Sequence, residues 1–206
     1  MHLLVRDELA ELYKMRGNVR VDLKSFSSAK EDYDRVLQLM SDGERKDGTA
    51  AYMEYPDTYV QRGLCYEGLG DWVNAVADYS KAISLWGGGR GAGINPYVLT
   101  FRANALVKLL RYSEAVDDYR AAENLFLQRR EEERAIDAGA NLALALYGMG
   151  ETGAAVLGMR QIVRRRPGYA DMHVALAAHA WTTGNVASAE EEWEFACDRI
   201  NVGCGR

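Results

Sequence analysis

Few side chains in this chain have types and spacings that could do chemistry. His173 and His179 stand six apart. On a helix that separation points them to different faces, so they cannot hold one metal ion together. The acidic runs Asp117-Asp118 and Glu190-Glu191-Glu192 fall in patterned helical segments. General acid–base chemistry needs such carboxylates in a cleft beside a base, and none is in prospect here, so no catalytic role is expected of them and Asp118 is expected on the solvated back of the array. Cys65, Cys197 and Cys204 are an odd number with no Cys-x-x-Cys or Cys/His metal spacing. The segment Gly87–Asn95, GGGRGAGIN, holds five glycines. It lacks the Gly-Lys-Ser/Thr ending of a phosphate loop and follows a helix rather than a strand, so a flexible insertion free of nucleotide is expected. Arg164-Arg165-Arg166 closes a helix, where cations suit the negative end of the dipole; an anion or acidic-partner site there is the minority reading. These residues point to no catalytic group, no metal and no cofactor, and an enzyme is not expected.

Composition narrows the classes further. The chain has 206 residues, 48% hydrophobic, with 3 prolines and a net charge of −5. A folded helical protein is expected. The acidic balance argues against a nucleic-acid binder, which needs a basic face to release counterions, and against adhesion to an anionic membrane. No apolar run approaches the roughly 18 residues that a spanning helix needs, so direct membrane insertion is not expected. Met1–Val5 is too short for a signal peptide. The unpaired cysteines fit a reduced intracellular compartment best.

The elements that position these residues are read most clearly from Pro56 to Trp86. Tyr59, Gly63 and Tyr66 share one helix face; Ala75, Tyr79 and Ala82 share another; Gly70-Asp71 makes the turn, with Asp71 a candidate N-cap. This pattern, Tyr-x2-Arg-Gly-x2-Tyr followed by Ala-x3-Tyr-x2-Ala, resembles the tetratricopeptide repeat. It departs at Arg62, where Leu is usual, and at Gly87, where a closing Pro is common. In such a hairpin the small residues let the helix axes approach, the aromatics fill the gap to the next hairpin, and neighbours must stack because one hairpin cannot bury its own apolar faces.

The pattern extends over most of the chain. Leu4, Leu9, Leu12 and Met15 make Leu3–Met15 amphipathic, Gly17-Asn18 reads as its stop, and Val19–Lys24 as an irregular piece. Ala29, Tyr33 and Val36 then repeat the second-helix spacing, so residues 3–41 are expected to be a degenerate repeat with about seven extra residues in its turn relative to the usual pattern. Ser41–Thr49 reads as a loop. Repeats are expected at 56–87, 96–128, 134–167 and 169–201. They are carried by Leu99, Ala103, Leu106, Ala115, Tyr119 and Ala122, then by Ala143, Leu146, Ala155, Met159 and Ile162, and last by Ala177, Ala180, Ala189, Trp193 and Ala196. Gln128–Arg134, QRREEER, contains no Gly or Pro and is expected to lengthen the flanking helices. No polar capping helix is legible after Asn201, which suggests a chain that stops short of its natural end. The architecture implied is all-α: a single array of ten helices in five hairpins, a right-handed α-solenoid.

In the family this resembles, ligands lie on the face lined by the first helix of each hairpin. That implies a partner-binding surface of Tyr97, Thr100, Phe101, Asn104, Lys108, Asn141, Leu144, Tyr147, Val174 and Trp181, with Val60, Leu64 and Glu67 on the same face of the second repeat and Asp137, Asp171 and Ala178 flanking. Asn104 and Asn141 match the asparagine places of the chaperone-binding members. The cation places hold Thr100, Asp171 and Ala175, so a C-terminal carboxylate would not be clamped. The stretch Trp193–Arg206 is similar to the end of the array in plastid tetratricopeptide proteins of plants and algae, which implies an assembly or maintenance factor for photosynthetic complexes. The expected function is a non-enzymatic scaffold for another protein or peptide segment; the alternative is a module that dimerises through its C-terminal hairpin. A plastid is favoured, otherwise the cytoplasm.

Overall fold

The computed structural model describes residues 2–41, 56–87 and 93–200. Most of the Ser41–Thr49 segment, most of the glycine-rich segment and the residues after 200 lie outside them. The described residues hold ten helices: α1 His2–Asp22, α2 Phe26–Ser41, α3 Pro56–Gly68, α4 Trp72–Gly87, α5 Pro96–Lys108, α6 Tyr112–Gln128, α7 Glu132–Met149, α8 Thr152–Arg165, α9 Ala170–Thr182 and α10 Val186–Ile200. The fold class is the expected one of helical hairpins. They fall into two compact units, Met1–Leu110 and Arg111–Arg206.

In the first unit, the α3–α4 hairpin is drawn close by Gly63. A Cβ there would stand 2.5 Å from Cε1 of Tyr79. The α1–α2 hairpin does the same thing: a Cβ on Gly17 would meet Cζ of Tyr33 at 2.9 Å. Both pairs are 16 residues apart (79 − 63 and 33 − 17). This corrects three expectations. Gly17-Asn18 does not stop α1, which runs unbroken to Asp22; Val19–Lys24 is not an irregular piece; and no extra residues enlarge the turn. Gly17 is a close-approach glycine inside the helix, and Asn18 Oδ1 accepts a 2.7 Å hydrogen bond from the Tyr33 hydroxyl. The turn after α1 is the same as the one after α3. Ser25 N donates to Arg20 O at 2.8 Å, as Asp71 N donates to Tyr66 O at 2.8 Å. The middle residue is left-handed in both, Lys24 at φ 57° and Gly70 at φ 75°. Lysine hid the first turn, because glycine is the residue that takes this conformation without cost. A further correction follows from the register. Leu9, Leu12 and Met15 face solvent, Leu12 at 62% exposure, because the inward side of α1 carries Arg16, Gly17 and Arg20 instead.

α4 begins where expected. Asp71 caps it by accepting from Asn74 N at 3.2 Å. Asn95 caps α5 in the same way by accepting from Tyr97 N at 3.1 Å, with Pro96 in the first turn. The core of this unit gathers Val60, Ala75, Tyr79, Ala82, Val98 and Ala105.

The second unit packs α6 to α10. Ala143, Ala155, Met159, Ile162, Met172 and Leu176 are buried together. The QRREEER stretch lengthens mainly one neighbour: α7 has 18 residues against 13 in α3, α5 and α9, while α6 has 17 against 16 in α2 and α4. It also contains a turn, with Arg130 left-handed at φ 62° and Glu131 N donating to Phe126 O at 2.9 Å. Two side chains depart from the expected pattern. Asp118 is not solvated surface but 6% exposed. Trp193, at the place of Tyr79, is 50% exposed. Tyr79 is covered by Phe101 of the following helix, ring centroids 6.0 Å apart, and among the described residues no helix follows α10.

Candidate functional site

The chemistry-bearing side chains resolve first into structural work. Arg62 forks onto the buried Asp78 through Nε and Nη2, both at 2.7 Å, and its Nη1 reaches Asp34 at 2.8 Å. The hydrogen bond to Asp78 holds the guanidinium above its ordinary range. Burial works against the Asp34 carboxylate, but the hydrogen bonds from Lys30 and Arg62 prevail and lower it. Arg16 and Arg20 grip the buried Asp32 in the same way, at 2.6 and 2.7 Å. These pairs were not foreseen, although Arg62 in the place of the family's Leu was the signal. Arg16 and Asp32 stand 16 apart (32 − 16), as do Arg62 and Asp78 (78 − 62).

The two histidines serve separate contacts. His173 Nδ1 meets Glu192, Nε2 lies 2.9 Å from the Pro167 carbonyl, and the ring lies 4.2 Å from that of Phe195. His179 is edge-on to Tyr147 at 5.9 Å, with a buried Nδ1 that has no hydrogen-bond partner. Among the described residues no cluster of His, Cys, Asp or Glu could hold a metal. Burial pushes the Cys65 thiol up to about 11, so it stays protonated at neutral pH. Cys197 is disulfide-bonded. Arg166 bridges Glu133 at 3.0 Å and Asp137 at 3.5 Å.

The face residues named from the sequence divide between the units. In the first unit, Val60 is buried in the core, and Glu67 Oε1 is buried without a well-formed hydrogen bond, so this part of the face is packed. On α5, Tyr97, Asn104 and Lys108 are exposed. Lys108 stands 6.0 Å over the Trp72 ring, and the Thr100 hydroxyl donates to Pro96 O at 3.2 Å. Phe101 packs on the core beside Tyr79. In the second unit, Tyr147 packs on the core and on His179, while Asn141 and Val174 are half-buried. Leu144 is 42% exposed and Trp181 66%. The open anchors of the second unit are therefore Leu144 and Trp181, while Phe101 and Tyr147 serve partly as packing.

Residues 56–85 match the tetratricopeptide repeat family. No curated protein matches the sequence. Three solved structures are similar. MamA shares 17% identity over 90% of this chain and 94% of its own, TM-score 0.69. MamA 41-end from Desulfovibrio magneticus RS-1 shares 16% over 95% and 97%, TM-score 0.74. YrrB, a TPR protein with an unusual peptide-binding site, shares 19% over 93% and 86%, TM-score 0.67. Residues 56–85 are a tetratricopeptide repeat, and the fold of the chain is that of tetratricopeptide-repeat proteins.

Proposed function

We propose that this chain is a non-enzymatic scaffold that holds a protein or peptide segment on the first-helix faces of its hairpins. The observation that carries the reading is in the second unit. α7 and α9 present Leu144 and Trp181 to solvent, beside half-buried Asn141 and Val174, and His179 Nδ1 lies unpartnered against Tyr147. An exposed tryptophan serves well as an interface anchor, and asparagine can hold a peptide backbone through its amide. The peptide-binding character of YrrB supports the same class of function. In the first unit, Tyr97, Thr100, Asn104 and Lys108 on α5 are the corresponding contacts, with Phe101 behind them.

A narrower reading is an assembly or maintenance factor for photosynthetic complexes in a plastid. Its support is the resemblance of Trp193–Arg206 alone. A photo-crosslinking side chain placed at Trp181 tests the scaffold reading in an extract of the source cells. One partner crosslinking there, and not at the exposed Asp117, is expected; equal crosslinking at both places would count against it. Self-association is the second reading. It is favoured by Val186 and Trp193, seven apart on α10 and each about half exposed. Light scattering of the chain and of Trp193→Lys separates it, since only a dimer through α10 would change mass on substitution.

A further inference from the structure

In the second unit, α6, α7 and α8 line an open-mouthed cavity of about 320 Å³. It has a clear origin. Leu142 and Gly158 stand 16 apart (158 − 142), the same separation as Arg62 and Asp78. Two long polar side chains fill the first unit at this place; here one member has no side chain at all. Gly139, Leu142, Ala143, Leu146, Gly158 and Ile162 supply its apolar lining. Arg164 and Arg165 line its rim and are both exposed. α8 carries no acidic residue, and the one carboxylate in the lining, Glu123 of α6, acts on Arg165 and leaves an excess of one positive charge at the rim.

We infer that this cavity is a socket for a single apolar side chain of an acidic peptide segment. The cavity is large enough for a side chain the size of leucine or phenylalanine, and burying one removes apolar surface from water. Two consecutive arginines at the rim point in different directions around the helix, about 100° apart, so they suit acids on both flanks of the anchor. The half-buried Glu123 carboxyl, in the field of Arg165 and Arg120, also lines the cavity and opposes an anion entering deeply, which keeps the acids outside and the apolar group inside. Gly139, Leu142, Ala143 and Leu146 lie on the side of α7 away from Asn141 and Leu144, so this socket is separate from the face proposed above.

The test uses the full chain with labelled leucine, isoleucine and valine methyls. The probe is a synthetic peptide with one central leucine between two Asp-Glu pairs; the controls are the same peptide with serine at the centre, and decanoate. The leucine peptide is expected to shift the methyls of Leu142, Leu146 and Ile162 saturably, and the serine peptide to bind roughly ten- to a hundredfold more weakly. Arg164→Glu with Arg165→Glu, a surface change that leaves the helical circular dichroism intact, is expected to weaken binding about tenfold or more. Gly158→Leu should block the socket. If that variant does not fold, the methyl shifts and the arginine variant still decide. Equal binding of leucine and serine peptides would overturn the inference. So would shifts confined to Leu144 and Val174, decanoate saturating the methyls where the peptide does not, or no methyl moving at all.

Discussion

The α3–α4 and α7–α8 hairpins use one register with opposite fillings. Residues 62 and 78, 63 and 79 face each other in the first; 142 and 158, 143 and 159 occupy the same places in the second. The first sets a forked Arg62–Asp78 pair at 2.7 Å beside a glycine pressed under Tyr79. The second sets leucine against glycine, and a Cβ on Gly158 would stand 3.2 Å from that of Ala143. A buried ion pair is seldom more stabilising than well-packed apolar groups, but it is intolerant of losing one partner. The polar hairpin is therefore specified by its pair, and the apolar one by small residues that leave a cavity.

The largest expected effect breaks the polar side of that contrast. Arg62→Met strands the Asp78 carboxylate, which is 6% exposed, and should cost about 3–5 kcal/mol in urea unfolding. Leu142→Met, at the equivalent place, should cost less than about 1.5 kcal/mol. Coincident losses would mean that the pair adds nothing specific. Next is Gly63→Leu, which drives a side chain into the Tyr79 ring and should cost about 1–3 kcal/mol. Gly153 sharpens the point, because nothing lies within 4 Å of a Cβ there. Gly153→Ala should raise stability by up to about 1 kcal/mol through helix propensity alone. A loss at Gly153 comparable to that at Gly63 would show that packing is not what separates the two glycines.

Binding should respond on different residues. Leu144→Ala with Trp181→Ala should abolish capture of the crosslinked partner and leave the melting curve nearly unchanged, since both side chains face solvent. Phe101→Ala is a poor probe, because its ring covers Tyr79 and its loss would open the core of the first unit. Asp118→Lys is equally poor as a surface control, because Asp118 is buried; the exposed Asp117 serves instead.

The helices and most of the core were legible in the sequence because small and aromatic residues recur at fixed spacing. Ala29, Tyr33, Ala75, Tyr79, Ala115 and Tyr119 are all buried as that spacing requires. What was not legible follows from two physical ambiguities. A glycine can end a helix or let another helix close on it, and Gly17 does the second. A left-handed turn residue need not be glycine, and Lys24 and Arg130 hold that conformation at φ 57° and 62°. The anchor face was legible as a list of positions. Which members were open was not, because exposure of Phe101 and Tyr147 depends on side chains from neighbouring helices.

The smallest expected effect concerns two carboxyls of the first unit with opposite shifts. Asp34 is lowered from 3.8, because the hydrogen bonds from Lys30 and Arg62 outweigh its burial. Glu67 is raised from 4.5 by burial, which the nearby Tyr79 hydroxyl offsets only in part. The signs differ. Asp34 binds fewer protons in the folded chain, so its contribution is present above about pH 3.8 and is lost as pH falls through its lowered value. Glu67 binds more protons in the folded chain, so its contribution is present below pH 4.5 and is lost as pH rises through its raised value. Glu67→Gln keeps the shape, removes the charge and should flatten the decline above pH 4.5, leaving the variant modestly more stable than the parent at pH 7. Asp34→Asn should be less stable than the parent at pH 7 and converge with it in acid. Urea midpoints of the three proteins from pH 3 to 7 read both effects. Parallel curves for Glu67→Gln and the parent would mean that the Glu67 carboxyl is as well solvated folded as unfolded, and that this buried corner of α3 is open to water after all.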